Sequence, residues 1–166
     1  MGLVGANAKS PAVGTGSIGG HAYVDLGLPS GLKWATCNVG ASSPIEYGDY
    51  IDLDDRDKAV SSKFGSNWKV PSREDLEELY DNCIWEWTTI EGVNGYKVSS
   101  KKSKKQFIFL PAAGRFLGAY EWGKKGEMGA YWCSGEGADY LNIDQKSKGF
   151  SYVGPMVKQS VRPVTE

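Results

Sequence analysis

The feature that most constrains this chain is the alternation of glycine with large aromatic side chains through its last third. It runs from Gly114, Phe116 and Gly118 through Tyr120, Trp122, Tyr131, Trp132 and Tyr140 to Phe150, Tyr152 and Gly154. A helix interior does not tolerate glycine at that density, and long strands gain nothing from it. The pattern calls for short strands joined by irregular turns, with rigid rings framing the bends. With 22 glycines, 6 tryptophans and 9 tyrosines in 166 residues, the chain suits one hydrophobic core and a loop-heavy domain.

Charge and reactive residues exclude several functions. The formal charge is −1, from 19 basic and 20 acidic side chains. The molecule therefore has no overall field to attract phosphate backbones, and nucleic acid is not an expected partner. Cys37, Cys83 and Cys133 lie far apart in sequence, so no CxxC pair is present to grip zinc or exchange thiols; one bridge or three free thiols both remain open. His21 is the only histidine, which removes the usual metal ligands, nucleophile pairs and imidazole shuttles. No catalytic residue, metal or cofactor is expected. No apolar run approaches the roughly 20 residues that span a bilayer, and Met1 to Ser10 lacks the basic start and apolar stretch of a signal peptide.

Residues 1–20 are small and polar and read as a flexible lead-in or linker, leaving residues 21–166 as the folded domain. Tyr23 to Leu28 and Leu32 to Ala35 flank a Pro-Ser-Gly turn signal and predict a β-hairpin. Asp52, Asp54, Asp55 and Asp57 resemble a calcium loop only superficially, because Arg56 takes the fifth place and Asp57 the sixth, where oxygen and glycine are needed. They fit better as acids at the start of a short helix over 56–64. Ser72 with Asp75 three residues on predicts a second helix start, and Leu76, Leu79, Tyr80 and Cys83 recur at helical spacing, so Cys83 is expected on that helix's buried face. Lys101, Lys102, Lys104 and Lys105 fall where a hairpin tip would lie and read as a solvated loop.

Several ordered blocks resemble one family: Tyr23-Val24-Asp25-Leu26-Gly27-Leu28-Pro29-Ser30-Gly31, Trp34-Ala35, Asn38-Val39-Gly40-Ala41, Trp68 with Val70-Pro71-Ser72, Gly92-Val93-Asn94-Gly95-Tyr96, Phe109-Leu110-Pro111-Ala112-Ala113-Gly114, Tyr131-Trp132 and Ser160-Val161-Arg162-Pro163-Val164. Together they resemble the Fibrobacter succinogenes major paralogous domain family, common in gut Bacteroidetes, over about residues 21 to 164. The resemblance implies an α+β class and a C-type lectin-like fold: two helices, small antiparallel sheets and a long irregular C-terminal region. It also implies an extracellular or cell-surface location. Some relatives are variable proteins of diversity-generating retroelements, in which the Phe-Leu-Pro-Ala-Ala-Gly and Ser-Val-Arg-Pro-Val blocks would be fixed scaffold and the stretch between them would meet the ligand.

Two departures bear on that implication. Relatives typically show Tyr-Arg after Pro-Ala-Ala-Gly and Tyr-Trp-Ser-Ser further on, where this chain has Arg115-Phe116 and Tyr131-Trp132-Cys133-Ser134. Adenine replacement in Asn-type codons, moreover, does not yield Lys, Glu, Gln, Met or Trp. Lys124, Lys125, Glu127, Met128 and Glu136 therefore did not arise that way, while Phe116, Ala119, Tyr120, Asp139, Asn142 and Tyr152 are compatible with it.

Rings held on rigid turns give large contact area at low entropic cost. The expected contacts within the loops of residues 115–158 are Phe116, Tyr120, Trp122, Tyr140 and Tyr152, with Arg115, Glu136, Asp139 and Asn142 as polar partners. Trp132 is expected to be core, and Arg162 to tie down the C-terminus. The leading function is a non-catalytic binding module for a protein or glycan. Glycan binding would be calcium-independent, since neither Glu-Pro-Asn nor Trp-Asn-Asp occurs. Two other readings stay open: a structural or appendage subunit of the cell surface, and an oxidase of the formylglycine-generating type, which would need two apposed reactive cysteines.

Overall fold

A computed structural model of the protein describes residues 13–166. The elements in order are β1 (Val13–Ile18), β2 (His21–Leu26), β3 (Lys33–Ala35), β4 (Ile51–Asp52), a 3-10 turn (Leu53–Asp55), α1 (Arg56–Phe64), β5 (Trp68–Lys69), α2 (Arg73–Asn82), β6 (Cys83–Ile90), β7 (Val93–Ser100), β8 (Phe107–Pro111), β9 (Arg115–Leu117), β10 (Tyr120–Gly123), β11 (Met128–Trp132), β12 (Asp139–Asp144), β13 (Lys148–Tyr152), β14 (Val157–Gln159) and β15 (Val164–Thr165). The class is α+β, with two helices and several small antiparallel sheets. Their strand orders are β1-β2-β3-β15-β5, β10-β9-β14-β4, β11-β12-β13 and β6-β7-β8.

The expected hairpin forms, with Tyr23 opposite Ala35 and Val24 opposite Trp34. The reading of residues 1–20 as a lead-in is corrected over residues 13–20. Strand β1 pairs with β2 from Val13 opposite Leu26 to Ile18 opposite His21, and Gly19 and Gly20 make the turn at φ 61° and 82°. Only glycine adopts two such angles freely, and Gly-Gly is a tight-hairpin signal. Main-chain pairing orders a segment that is half-buried or exposed from Gly14 to Ile18. Residues 1–12 of the expected lead-in lie outside the described residues.

Helix α1 spans the expected residues. Helix α2 starts as its cap predicts: Asp75 N–H donates to Ser72 Oγ at 3.0 Å and Ser72 N–H donates to the Asp75 carboxylate at 2.9 Å. Ser72→Ala is expected to cost about 1 kcal/mol, read as a lower urea midpoint with unchanged slope. The helix ends one residue sooner than its spacing suggests. Cys83 adopts extended angles, φ −128° and ψ 166°, and opens β6, where Ile84, Trp85, Trp87, Thr88, Thr89 and Ile90 favour a strand. Cys83 is buried as expected, but on a strand. Lys101 to Lys105 do form the exposed connection between β7 and β8.

The core has two clusters that meet along β3 and β11, where neighbouring residues point to opposite sides. Trp34 and Tyr131 pack with Leu76, Leu79, Val98 and Leu141. Ala35 and Trp132 pack with Val39, Phe64, Trp68, Tyr140 and Val161. Trp132 is fully buried, as expected, and its indole N–H donates to Ile51 O at 2.7 Å.

Arg162 joins segments distant in sequence. Its Nε donates to Asn38 Oδ1 at 2.8 Å, Nη1 to Ala35 O at 3.3 Å and Nη2 to Phe109 O at 2.8 Å. The expectation that it anchors the C-terminus through main-chain carbonyls is met. Burial pulls its pKa below the ordinary arginine value. No carboxylate among the described residues pairs with it, so oriented carbonyl and amide dipoles hold the charge.

Candidate ligand-binding site

The site begins where the buried block Phe109 to Gly114 ends. Gly114 has φ +74°, and a Cβ there would collide with the carbonyl oxygen of Gly123, so glycine allows β10 to close over the start of β9. The β9–β10 hairpin pairs Leu117 with Tyr120, Phe116 with Glu121 and Arg115 with Gly123. Trp122 is the extra residue between the last two pairs, a β-bulge. Bulges re-aim side chains, and this one lays the indole across Arg115, with the guanidinium carbon 3.9 Å from a ring centroid. Below that stack, Arg115 Nη1 donates to Tyr140 Oη at 2.8 Å and to Gln159 Oε1 at 3.4 Å.

Strand β14 flanks the hairpin, pairing Val157 with Leu117 and Lys158 with Phe116. The apolar side chains of this edge are solvated: Leu117 is 42% exposed, Tyr120 65%, Trp122 44% and Met156 69%. Beside them runs a groove of about 550 Å³, whose lining includes Tyr50, Asp52, Asp55, Phe116 and Lys158. Tyr50 and Phe116 meet edge to face at 4.7 Å, and the Lys125 ammonium sits 5.5 Å from the Phe116 ring centroid. The Tyr50 hydroxyl donates to Ala113 O at 2.6 Å. Burial raises its pKa, so it remains a neutral donor.

The nine residues expected from sequence fall into two groups. Arg115, Phe116, Tyr120 and Trp122 share the hairpin. Glu136, Asp139, Asn142 and Tyr152 belong to the β11-β12-β13 sheet and its connections. Tyr140 joins the groups through Arg115, but its expected role as a displayed ring is corrected: it is 6% exposed, edge-on to Trp132. It lies on the centre strand of its sheet, where a ring is covered by neighbouring elements. Asn142 is likewise in the middle of β12, half-buried between Ala130 and Gly149. Asp139 is engaged with helix α2, accepting from Arg73 Nη1 at 3.2 Å. Glu136 and Tyr152 are exposed, Tyr152 at 80%.

Sequence reasoning missed Leu117, Met156, Lys158, Tyr50 and Gln159. Leu117 sits before Gly118, a turn residue, and Met156 follows Gly154-Pro155, so an apolar residue beside a turn signal was the available clue. Tyr50 and Gln159 had none, because strand pairing brings them in from outside the segment.

All three cysteines are free thiols. Burial pushes Cys83 up to about 11 and Cys133 up to about 12, so both keep their protons at neutral pH; Cys37 is half-buried. A water-soluble disulfide reagent at neutral pH is expected to titrate Cys37 in the native protein and all three thiols after denaturation. Among the described residues, no group of three or more His, Cys, Asp or Glu side chains is placed to hold a metal ion, and no helix is long and apolar enough to cross a membrane. Comparisons with family models, curated proteins and solved structures returned no match.

Proposed function

We propose that this is a non-catalytic binding module of C-type lectin-like fold that presents the β9–β10 hairpin and its flanking strand to a protein or glycan outside the cell. The observation that carries the reading is the exposed set Leu117, Tyr120, Trp122 and Met156 on one hairpin and the segment leading into its partner strand. Solvated apolar side chains crowded together are unusual in a monomer away from an interaction surface. The bulge at Trp122 and the stack on Arg115 fix a ring before any partner arrives, which lowers the ordering cost of association. The resemblance to the paralogous domain family supports the same reading, with Phe109 to Gly114 and Ser160 to Val164 as constant frame. Residues compatible with codon diversification include Phe116 and Tyr120 in the hairpin and Tyr152 nearby in sequence. A reverse transcriptase gene beside a near-copy of the codons for residues 110 to 164 would make the site a diversified one.

The test is a panel of immobilised glycans and surface proteins probed with wild type, with the Tyr120→Ala/Trp122→Ala double variant, and with Phe107→Ala, which alters an exposed ring on the β6-β7-β8 sheet. Binding that survives in Phe107→Ala and disappears in the double variant is expected. Binding that the double variant retains in full counts against the proposal. Concentration-dependent self-association lost in the double variant, with no panel binding, would instead favour a structural subunit.

A further inference from the structure

We infer that Arg115 forms a carboxylate-binding subsite within this face, so that the ligand carries an acidic group. The inference rests on the binding reading above and narrows it. Three observations support it. Arg115 has no ion pair among the described residues. Its Nη1 is committed to Tyr140 and Gln159, while Nε is buried without a partner and Nη2 makes no hydrogen bond among the described residues. Gln159, fully buried behind it, also has an unpartnered donor, Nε2.

Buried donors without acceptors are rare and costly, about 1–3 kcal/mol each. Here two of them belong to side chains that touch each other at the foot of the exposed face. The free Nε/Nη2 edge is the edge of a guanidinium that takes a carboxylate through two parallel hydrogen bonds. Tyr140, Gln159 and the indole of Trp122 hold the plane of that fork. Nε has no solvent contact of its own, so an arriving carboxylate must displace a cover. Lys124, Lys125 and Lys158 add positive charge around the face, against Glu121, whose carboxylate accepts from the Lys125 main-chain N–H at 3.0 Å. Asp52 and Asp55 lie along the groove and Asp49 is paired with Lys63 at 3.6 Å.

Proton–nitrogen NMR of the full chain tests this, following the Arg115 Nε–H, the Gln159 side-chain amide and the Trp122 indole N–H. The probes are glucuronate and N-acetylglutamate amide, with glucose and N-acetylglutamine amide as uncharged counterparts. Saturable shifts of all three signals with at least one acid, at an affinity on the order of millimolar, and no shift with the uncharged pair, are expected. A response to glucuronate alone points to an acidic sugar, and to the glutamate derivative alone to an acidic peptide; a response to both leaves the carboxylate as the recognised group. Arg115→Gln should abolish the response. Arg115→Lys, which keeps the stem and charge but not the fork, should weaken it about tenfold and carries the test if the glutamine variant does not fold.

No response to either acid, equal response to charged and uncharged probes, or undiminished acid binding in Arg115→Lys would overturn the subsite. Partner binding that depends on Tyr120 and Trp122 without any carboxylate response would remove the subsite and leave the binding face standing. A carboxylate response at Arg115 with partner binding indifferent to those two rings would do the reverse.

Discussion

Arg162→Ala is expected to destabilise the protein by about 3–5 kcal/mol. The side chain is 1% exposed. Its removal strips donors from Asn38 Oδ1, Ala35 O and Phe109 O and leaves a cavity where three chain segments meet. A single water, with two donors, does not replace a fork that serves three acceptors. Arg162→Lys should recover little, because one ammonium cannot reproduce a fork that reaches three directions. At this chain length each kcal/mol moves the melting temperature by about 2–4 °C, so a fall of roughly 6–20 °C follows. A loss below about 1 kcal/mol would show that Arg162 does not hold the frame.

The second large effect is on binding. Tyr120→Ala and Trp122→Ala should each change stability by less than about 1 kcal/mol, since both rings are solvated and the Trp122 stack on Arg115 is an exposed cation–π contact. At least one of them should cost about 2 kcal/mol or more of binding free energy, roughly thirtyfold in affinity, as aromatic anchors at the centre of an interface do. The contrast is diagnostic: Arg162 supports the fold and these rings do not. Loss of affinity accompanied by an equal loss of stability would assign Tyr120 and Trp122 to the frame instead.

What was legible in the sequence was local. The Ser72–Asp75 cap, the Pro-Ser-Gly hairpin and the lysine-rich tip between β7 and β8 are set by neighbours in the chain, and each appears where its residues place it. Buried Trp132 and anchoring Arg162 were also readable, from blocks that the family resemblance implies to be scaffold. Pairing across distance was not legible. The strand at Val13 to Ile18 exists because β2 offers an edge, which its glycines and small side chains do not advertise. Tyr140 looked like Tyr120 in sequence, a tyrosine among polar and small residues, yet one lies on a centre strand and the other beside a hairpin tip. The bulge at Trp122 depends on the register between β9 and β10. Gln159 and Tyr50 enter the site only through the β10-β9-β14-β4 sheet.

The most direct test of the hairpin as the binding face is hydroxyl-radical footprinting of the protein with and without a bound partner, read residue by residue. Tyr120, Trp122 and Met156, exposed in the free protein, should lose reactivity in the complex, while Phe107 and the Lys101 to Lys105 tip stay as reactive as before. Protection confined to the β7–β8 tip or to Tyr80 and Phe150, with the hairpin side chains still fully oxidised, would contradict it.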